Sequence, residues 1–315
     1  MSTYRNSLPQ LGDDLFLADG GLETTLVFHE GLDLPCFAAF DLLKDDAGVA
    51  TLNRYFEPYL NIARQHQFGF ILDAATWRAN PDWAQRIGYS QAELADANRR
   101  AIEMLIALRN QHATRATPIV VSGTIGPRGD GYRADARMSV DKARRYHSTQ
   151  INTLAETEAD MVSGFTLNYV DEAIGIVLAA HDADIPVVIS YTVETDGRLP
   201  SGELLATAIA RTDAETDGYP AYYMINCAHP THFAPALDND GAWLRRLRGL
   251  RANASCLSHE ELDACTELDE GDPVELGQQY AALMQTHPQI RVVGGCCGTD
   301  HRHIGEIARA WRTRH

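Results

Sequence analysis

Eight short apolar segments, rich in β-branched residues, recur along the whole chain and alternate with stretches whose apolar residues have helical spacing. Each segment ends in glycine, asparagine, aspartate or threonine, as strands do where a loop begins. The segments are LFLADGG near residue 15, FGFILDAAT near 70, PIVVSGTIGP near 120, DMVSGFTLN near 162, PVVISYTV near 188, YYMINCAHP near 224, GLRANAS near 251 and IRVVGGCCGTD near 293. Eight alternating strand and helix units predict an α/β protein with a (β/α)8 (TIM) barrel.

The stretches between these segments predict the helices and loops of such a barrel. Residues 93–111 and 139–159 carry apolar side chains at helical spacing and predict two amphipathic helices. Residues 19–35 and 122–139 are rich in glycine and polar residues and predict long loops over the barrel mouth. Because no linker or repeat interrupts the chain, we expect residues 1–315 to form a single barrel domain. A doubly wound open sheet is the alternative, and it too would place a ligand at the carboxyl ends of its strands.

The charge balance bears on possible partners. The 315 residues include 27 Lys and Arg against 43 Asp and Glu, a formal net charge of −16, which repels phosphate backbones and anionic lipid. No apolar run reaches the roughly 18 residues that a membrane helix needs, and the first residues lack the apolar core of a signal peptide. We therefore expect a cytoplasmic protein that binds neither nucleic acid nor membrane. The sequence does not indicate its oligomeric state.

Three of the six cysteines close predicted strands. Cys227 ends the sixth segment, and Cys296 and Cys297 end the eighth, so a barrel would bring three thiols to the rim where barrel active sites lie. Three thiolates and an open fourth position match catalytic zinc, which would activate a substrate thiol. The adjacent pair alone is also compatible with two small buried hydrophobic residues. The other cysteines are interpreted as core residues, because free cysteine packs readily in interiors: Cys36, Cys256 and Cys265.

Three blocks of sequence resemble one known family. LADGGLETTL at residues 17–26, INC at 225–227 and VGGCCGTD at 293–300 are similar to motifs of the homocysteine S-methyltransferases, and the likeness extends over nearly the whole chain. The resemblance implies a (β/α)8 barrel and a zinc ion held by Cys227, Cys296 and Cys297. It also implies methyl transfer from a sulfonium or betaine-type donor to a small thiol, either homocysteine, giving methionine in its biosynthesis, or a related acceptor.

The resemblance also implies substrate contacts. Asp19 would receive the amino group of the acceptor, and backbone amides around Gly20 and Gly21 would meet its carboxylate, in agreement with the attraction of carboxylate for ammonium and the close approach that glycine permits. Thr76 would be a polar residue of the substrate pocket. Asp19 beside two glycines is also compatible with a cap or turn residue, and Thr76 with a turn hydroxyl.

The fourth segment departs from the family pattern. Members of the family usually carry Glu-Thr at the end of this strand, where the glutamate helps to bind the amino group, and this chain has Phe165 there. Either Glu23 or Glu194 substitutes, or the acceptor lacks a free α-amino group; an exposed loop carboxylate such as Glu194 is also compatible with simple solvation. Asn226 and Asn168 are candidates for a supporting hydrogen bond to a ligand and for the pocket wall.

Further side chains near the strand ends suit a cationic donor, because aromatic faces attract cations. These are Trp77, Trp83, Tyr132 and Tyr169, with Arg78 as another candidate for the pocket wall; core packing is the alternative for each aromatic residue. Two other functions remain open from the residues alone. One is a non-catalytic barrel protein that binds zinc or a thiol metabolite. The other is a zinc hydrolase, which an all-thiolate shell disfavours because it makes zinc a weaker Lewis acid.

Overall fold

A closed barrel of eight parallel strands forms the centre of the protein, in the order β1 to β8. The computed structural model describes residues 2–238 and 240–314. The strands are β1 (Phe16–Leu17), β2 (Gly69–Asp73), β3 (Ile119–Ile125), β4 (Met161–Leu167), β5 (Val187–Tyr191), β6 (Tyr222–Asn226), β7 (Leu247–Ala252) and β8 (Val292–Gly295). Each falls within one of the eight predicted segments, and β1 pairs with both β2 and β8, which closes the ring. The predicted (β/α)8 barrel is therefore confirmed.

Helices surround the strands on the outside of the barrel. In the described chain they are α1 (Leu22–Thr24), α2 (Asp46–His66), α3 (Pro81–Arg86), α4 (Gln91–His112), α5 (Val140–Ala155), α6 (Val170–Asp182), α7 (Leu205–Glu215), α8 (Pro230–Leu237), α9 (His259–Ala264), α10 (Pro273–Thr286) and α11 (His301–Arg314). Short 3-10 segments add Pro9–Leu11, Pro35–Phe37, Ala39–Lys44 and Ala242–Arg246, and a π-helical turn covers Thr25–His29. None of the described helices is both long and apolar enough to cross a membrane.

The two predicted helices are present, whereas the two predicted loops need correction. α4 begins at a capping box, in which Ser90 and Glu93 exchange hydrogen bonds with each other's backbone. The predicted loop over 122–139 is wrong in its first part, because β3 continues to Ile125 and only the residues after it form the loop. The predicted loop over 19–35 likewise contains α1 and the π-helical turn, so the chain after β1 turns back helically above the barrel.

The strands are buried on both faces, which explains their nearly continuous apolar sequence. Every strand residue is buried except Arg248. In β2, Phe70 and Leu72 pack toward the helices, while Ile71 belongs to the cluster that fills the barrel interior. Interior and exterior layers thus alternate along each strand, as the pleat requires.

The amino-terminal segment closes one end of the barrel. The backbone N–H groups of Thr3 and Tyr4 donate to Oδ1 of Asp160 at 2.9 and 2.7 Å, just before β4 begins. Arg109 pairs with the other carboxylate oxygen of Asp160 at 2.9 Å, so this buried charge is satisfied. With this end covered, the carboxyl ends of the strands form the accessible opening of the barrel.

Candidate metal centre and adjoining pocket

Three cysteines meet at the carboxyl ends of β6 and β8. Cys227 directly follows β6, and Cys296 and Cys297 directly follow β8. Their sulfur atoms all lie within 4.8 Å of one another, and no other group of this kind was found among the described residues. The sulfurs of Cys227 and Cys296 are joined in a disulfide with a Cα separation of 5.4 Å, and Cys297 is a free thiol. The predicted convergence of the three side chains is present.

The backbone of β7 holds both cysteine loops in place. The N–H of Cys227 donates to the carbonyl of Arg251 at 3.0 Å, and the N–H of Cys296 donates to the carbonyl of Ala252 at 2.8 Å. Cys227 itself has a φ of 54°, in the left-handed region that most side chains avoid. The strand therefore ends in an abrupt turn at this cysteine, and β-sheet pairing to β7 determines where that turn lies.

The glycines after β1 allow the first loop to pack against the cysteine loop. A Cβ on Gly21 would lie 2.6 Å from the carbonyl oxygen of Cys296, and a Cβ on Gly20 would lie 2.6 Å from that of Thr299. Both distances are too short for a carbon atom. The sequence Gly20-Gly21 is thus required by close backbone contact with the chain that carries Cys296 and Cys297.

Hydrogen-bond donors surround the sulfur of Cys227. Nδ2 of Asn226 lies 3.2 Å from that sulfur. Oδ1 of Asn226 accepts hydrogen bonds from the Ser190 hydroxyl at 2.7 Å and the Thr166 backbone N–H at 3.0 Å, which fixes the orientation of the amide. The hydroxyl of Thr166 lies 3.8 Å from the same sulfur. Asn226 is therefore placed to orient the side chain of Cys227.

Tyr132 contacts the third cysteine from the loop after β3. Its hydroxyl lies 3.6 Å from the sulfur of Cys297. Burial raises the pKa of the Cys297 thiol above its ordinary value, so in the absence of a cation this thiol remains protonated at neutral pH. A bound metal ion would reverse that preference by coordinating the thiolate.

His259 at the start of α9 connects Glu194 to the cysteine loop. Its Nε2 lies 2.6 Å from the carbonyl oxygen of Cys227, and its Nδ1 lies 3.2 Å from Oε1 of Glu194. Burial lowers the pKa of His259, but these two hydrogen bonds outweigh burial and raise it overall. Because both partners accept, the ring satisfies them together only as an imidazolium. Glu194 thus positions His259 and does not line the pocket.

A cavity of about 450 Å³ opens above the three cysteines. Its floor includes acidic, basic and aromatic side chains: Asp19, Asp73, Arg251 and Phe165. Its wall carries Glu23, Trp77 and Arg78, and its mouth carries Tyr132, His259 and four acids, Asp130, Asp263, Glu267 and Asp269. The cavity is large enough for two small substrates next to the cysteine sulfurs.

A buried charge cluster forms part of the floor. Arg251 donates from Nη2 to Oδ1 of Asp19 and from Nη1 to Oδ2 of Asp73, each at 2.6 Å. The second oxygen of Asp19 accepts a hydrogen bond from the Tyr55 hydroxyl at 2.9 Å. Both oxygens of Asp19 are therefore bonded within the protein. Asp19 lies in the predicted pocket, but an ammonium group would have to share it with Arg251.

The other predicted substrate residues differ in position. Gly20 and Gly21 both line the cavity, but the N–H of Gly21 donates to the carbonyl of Thr299 at 2.9 Å and is therefore already satisfied. The Thr76 hydroxyl donates to the carbonyl of Thr124 at 2.8 Å and accepts from its N–H at 3.0 Å, within the barrel wall and outside the pocket lining. Asn168 also lies outside the lining, where it donates to the carbonyl of Asp130 at 2.8 Å and anchors the mouth loop.

The departure from the family motif lies in the pocket floor. Phe165 is buried there, and its ring centroid lies 5.2 Å from the guanidinium carbon of Arg251. Glu23 lines the adjacent wall. Burial, with a smaller contribution from the charge of Asp19, raises the pKa of Glu23 to about 7.

The interpretation of the remaining cysteines as core residues is wrong. Cys36, Cys256 and Cys265 are all exposed. Cys36 has a φ of 53°, and Cys265 directly follows α9 and lines the pocket mouth. These positions belong to loops above the barrel, where the burial tendency of cysteine does not decide the packing.

Sequence reasoning missed three functional candidates: Arg251, Asp73 and His259. The sequence offered a signal for two of them, because an isolated charge in a buried strand needs a partner. Arg251 lies inside the apolar segment GLRANAS, and Asp73 ends the segment FGFILD. For His259 we find no such signal, since its role depends on how the loop after β7 folds over the cysteines.

The fold and site define a class of protein: (β/α)8 barrels with three convergent cysteines in the floor of an open pocket. A family model described as homocysteine S-methyltransferase matches residues 16–311. The homocysteine S-methyltransferase YbgG of Bacillus subtilis is 26% identical over 245 residues, covering 71% of this chain and 75% of that protein. Homocysteine S-methyltransferase 2 of Arabidopsis thaliana is 24% identical, covering 67% of this chain and 68% of that protein.

Solved structures agree at the level of the fold. The crystal structure of the Escherichia coli homocysteine methyltransferase MmuM in its oxidized form has a TM-score of 0.75 at 20% identity, covering 99% of this chain and 100% of that one. The metallated form of the same enzyme has a TM-score of 0.69 at 20% identity, covering 98% and 99%. The chain belongs to the homocysteine S-methyltransferase family, and it is a methyltransferase.

Proposed function

We propose that the protein is a zinc-dependent S-methyltransferase that moves a methyl group from a sulfonium or betaine-type donor to homocysteine or a related small thiol. The observation that carries the proposal is the convergence of Cys227, Cys296 and Cys297 within 4.8 Å at the pocket floor. The curated relatives carry homocysteine in their names as the methyl acceptor, which supports the same acceptor class here.

The three cysteines fit zinc once they are reduced. Zinc–thiolate bonds of about 2.3 Å in a tetrahedral shell separate the sulfurs by about 3.8 Å, which small side-chain adjustments at this site can reach. A disulfide between Cys227 and Cys296 offers no thiolate, so the metal requires both residues in the reduced state. This requirement fits a reducing compartment such as the cytoplasm. Cys227, Cys296 and Cys297 would hold the ion and leave its fourth position to the pocket.

When bound, zinc would lower the pKa of the acceptor thiol and so make it a nucleophile at neutral pH. The acceptor sulfur forms a bond to the methyl carbon as the bond from that carbon to the donor sulfur or nitrogen breaks. The electron pair of the broken bond leaves with the donor as a neutral sulfide or amine, and the thiol proton passes to solvent. The chain contributes by placing both substrates in one cavity, where alignment supplies much of the rate.

The pocket mouth suits a cationic donor. Four acids line it together with Tyr132, whose ring centroid lies 4.2 Å from that of His259, with the two rings tilted by 32°. Carboxylates and an aromatic face both attract a sulfonium or quaternary ammonium group. The donor would therefore approach from the mouth, while the acceptor sulfur would lie deeper, beside the cysteines.

The test is a methyl-transfer assay on protein purified anaerobically with reductant. Wild-type protein should contain about one zinc per chain and should methylate homocysteine or another small thiol from a sulfonium or betaine donor. Cys297→Ser should lose zinc and transfer together. Cys256→Ser is the matched control, because Cys256 is exposed and lies outside the pocket, and it should retain both. Zinc-free wild-type protein, or full transfer by Cys297→Ser, contradicts the proposal.

A further inference from the structure

An acidic and a basic side chain, Glu23 and Arg78, lie on the wall of the pocket. Neither Glu23 nor Arg78 forms an ion pair, or a side-chain hydrogen bond to another residue, in the part of the chain that the structure describes, and both line the cavity. Nε of Arg78 is buried without a hydrogen-bond partner. Charged groups in a partly buried wall are ordinarily paired. These two are therefore candidates for pairing with a ligand.

Aromatic side chains hold Arg78 in place. Its guanidinium carbon lies 3.7 Å from the ring centroid of Trp83 and 4.6 Å from that of Trp77. Contact with aromatic rings uses none of the guanidinium N–H groups as hydrogen-bond donors to protein oxygens, which leaves them for bidentate binding of a carboxylate. Lysine would not offer this planar geometry.

Glu23 and Arg78 line the same cavity as Cys227, Cys296 and Cys297. The charge of Glu23 acts on Arg78 and on the Cys297 thiol. A small thiol whose sulfur lies at the cysteines therefore shares its cavity with this wall. There it meets a carboxylate that can accept from an ammonium group and a guanidinium that can donate to a carboxylate.

The acids of the floor are poorly suited to that task. Asp19 is bonded through both oxygens to Arg251 and Tyr55. Asp73 shares the same arginine and keeps one unpartnered oxygen, but its charge is offset by Arg251 at 2.6 Å. Phe165 covers the floor beside them with an apolar ring, so an ammonium group placed there would lose hydration without gaining a free carboxylate.

We infer that Glu23 and Arg78 form a zwitterion clamp that binds the α-ammonium and the α-carboxylate of an amino acid thiol acceptor. This inference rests on the proposed function for the reaction, but the clamp makes separate predictions about recognition. Glu23 should contribute only when the acceptor has an ammonium group, and Arg78 only when it has a carboxylate.

The kinetic test uses three thiols at saturating donor: homocysteine, its des-amino analogue 4-sulfanylbutanoate, and 3-aminopropane-1-thiol, which lacks the carboxylate. Glu23→Gln should raise the KM for homocysteine about 10-fold or more, while leaving 4-sulfanylbutanoate within about twofold. Arg78→Gln should raise the KM by a similar factor for homocysteine and 4-sulfanylbutanoate, the two thiols that carry a carboxylate. It should leave the KM for 3-aminopropane-1-thiol unchanged. Glu23→Asp and Arg78→Lys should give intermediate increases in the same KM values. These two variants replace the glutamine variants if either of those fails to fold.

Matched controls lie next to each residue. Arg86 also stacks on Trp83, with its guanidinium carbon 4.2 Å from the ring centroid, but it is exposed and outside the pocket. Glu30 is an exposed acid in the same segment as Glu23. Arg86→Gln and Glu30→Gln should leave the KM of all three thiols unchanged. A rise in donor KM without a change in acceptor KM, or equal losses on all three thiols, would overturn the clamp.

An equilibrium measurement separates the clamp from the reaction. Methionine and its des-amino analogue 4-(methylsulfanyl)butanoate are titrated into reduced, metal-free protein by calorimetry. The clamp predicts tighter binding of methionine by wild type and loss of that preference in Glu23→Gln. If binding shows this pattern but no thiol is methylated, the proposed function fails and the clamp stands. If thiols are methylated without this selectivity, the clamp fails and the proposed function stands.

Discussion

The guanidinium of Arg251 lies 2.6 Å from the carboxylate of Asp19 in the floor of the pocket, and both side chains are buried. The same arginine reaches Asp73 at 2.6 Å from its other amino group and the carbonyl of Gly295 at 3.1 Å from Nε. Arg251 thereby joins the ends of β1, β2 and β8 beneath the cysteines. In this chain Asp19 is therefore bonded to Arg251 and Tyr55 and has a structural role.

Removing Arg251 should strongly destabilise the protein. Arg251→Leu leaves Asp19 and Asp73 as neighbouring buried acids without their cation, which costs on the order of 3–5 kcal/mol in the free energy of unfolding. Urea unfolding followed by circular dichroism gives this value directly. Arg198→Leu is the control, because Arg198 is exposed, and it should change stability by less than about 0.5 kcal/mol. A loss below about 1 kcal/mol for Arg251→Leu would show that the cluster is not essential to the fold.

A methyl group at Gly21 should disturb the metal site. Its Cβ would lie 2.6 Å from the carbonyl oxygen of Cys296, so Gly21→Ala must move the loop that carries Cys296 and Cys297. We expect zinc affinity, measured by competition with a chelator, to fall about 10-fold or more. Gly129→Ala provides the comparison, because a Cβ there meets no atom within 4 Å. Equal zinc affinities in the two variants would mean that the two loops do not depend on each other.

The strands could be predicted because burial on both faces requires apolar residues, which appear in the sequence as short apolar segments. All eight apolar segments became strands, and the three cysteines that close β6 and β8 lie together because parallel strands end at one rim. The pocket was less predictable. Arg251 and Asp19 are 232 residues apart, and only barrel closure brings them into contact. Thr76 and Glu194 do lie near the carboxyl ends of the strands. Whether such a side chain faces the pocket or the barrel wall depends on its rotamer and neighbours.

Glu23 should make stability depend on pH. Its pKa rises from an ordinary value near 4.5 to about 7 in the folded protein because of burial, so the folded state binds the proton more tightly than the unfolded state. The stability that this group contributes is fully present below about pH 4.5 and is lost as pH rises through about 7. Glu23→Gln should therefore gain on the order of 2–3 kcal/mol relative to wild type between pH 5 and pH 8.

Unfolding of reduced, metal-free protein in urea at the two pH values measures this difference. Glu30→Gln serves as the control, since Glu30 is exposed, and its difference from wild type should be the same at both. An unchanged difference for Glu23→Gln would mean that the carboxyl group is solvated in the pocket and not buried.

Asn226 should tune the metal site without being a ligand. Nδ2 of Asn226 lies 3.2 Å from the sulfur of Cys227 and 2.8 Å from the Thr166 hydroxyl, so the amide orients both. Asn226→Ala leaves all three cysteines in place, but the variant should bind zinc about 10- to 100-fold more weakly than wild type. Zinc competition reports the affinity, and circular dichroism checks that the barrel remains folded. If this variant binds zinc with wild-type affinity, the Asn226 amide does not contribute to metal binding.

The most direct test of the central claim is the X-ray absorption spectrum of the zinc-loaded, reduced protein before and after a thiol acceptor is added. We expect three sulfur ligands at about 2.3 Å with one lighter atom, changing to four sulfurs when the acceptor binds. The Cys297→Ser variant should lose the metal or replace one sulfur with a lighter ligand. Fewer than three protein sulfurs, or a spectrum that does not respond to any thiol acceptor, would contradict the assignment of Cys227, Cys296 and Cys297 as the catalytic metal site.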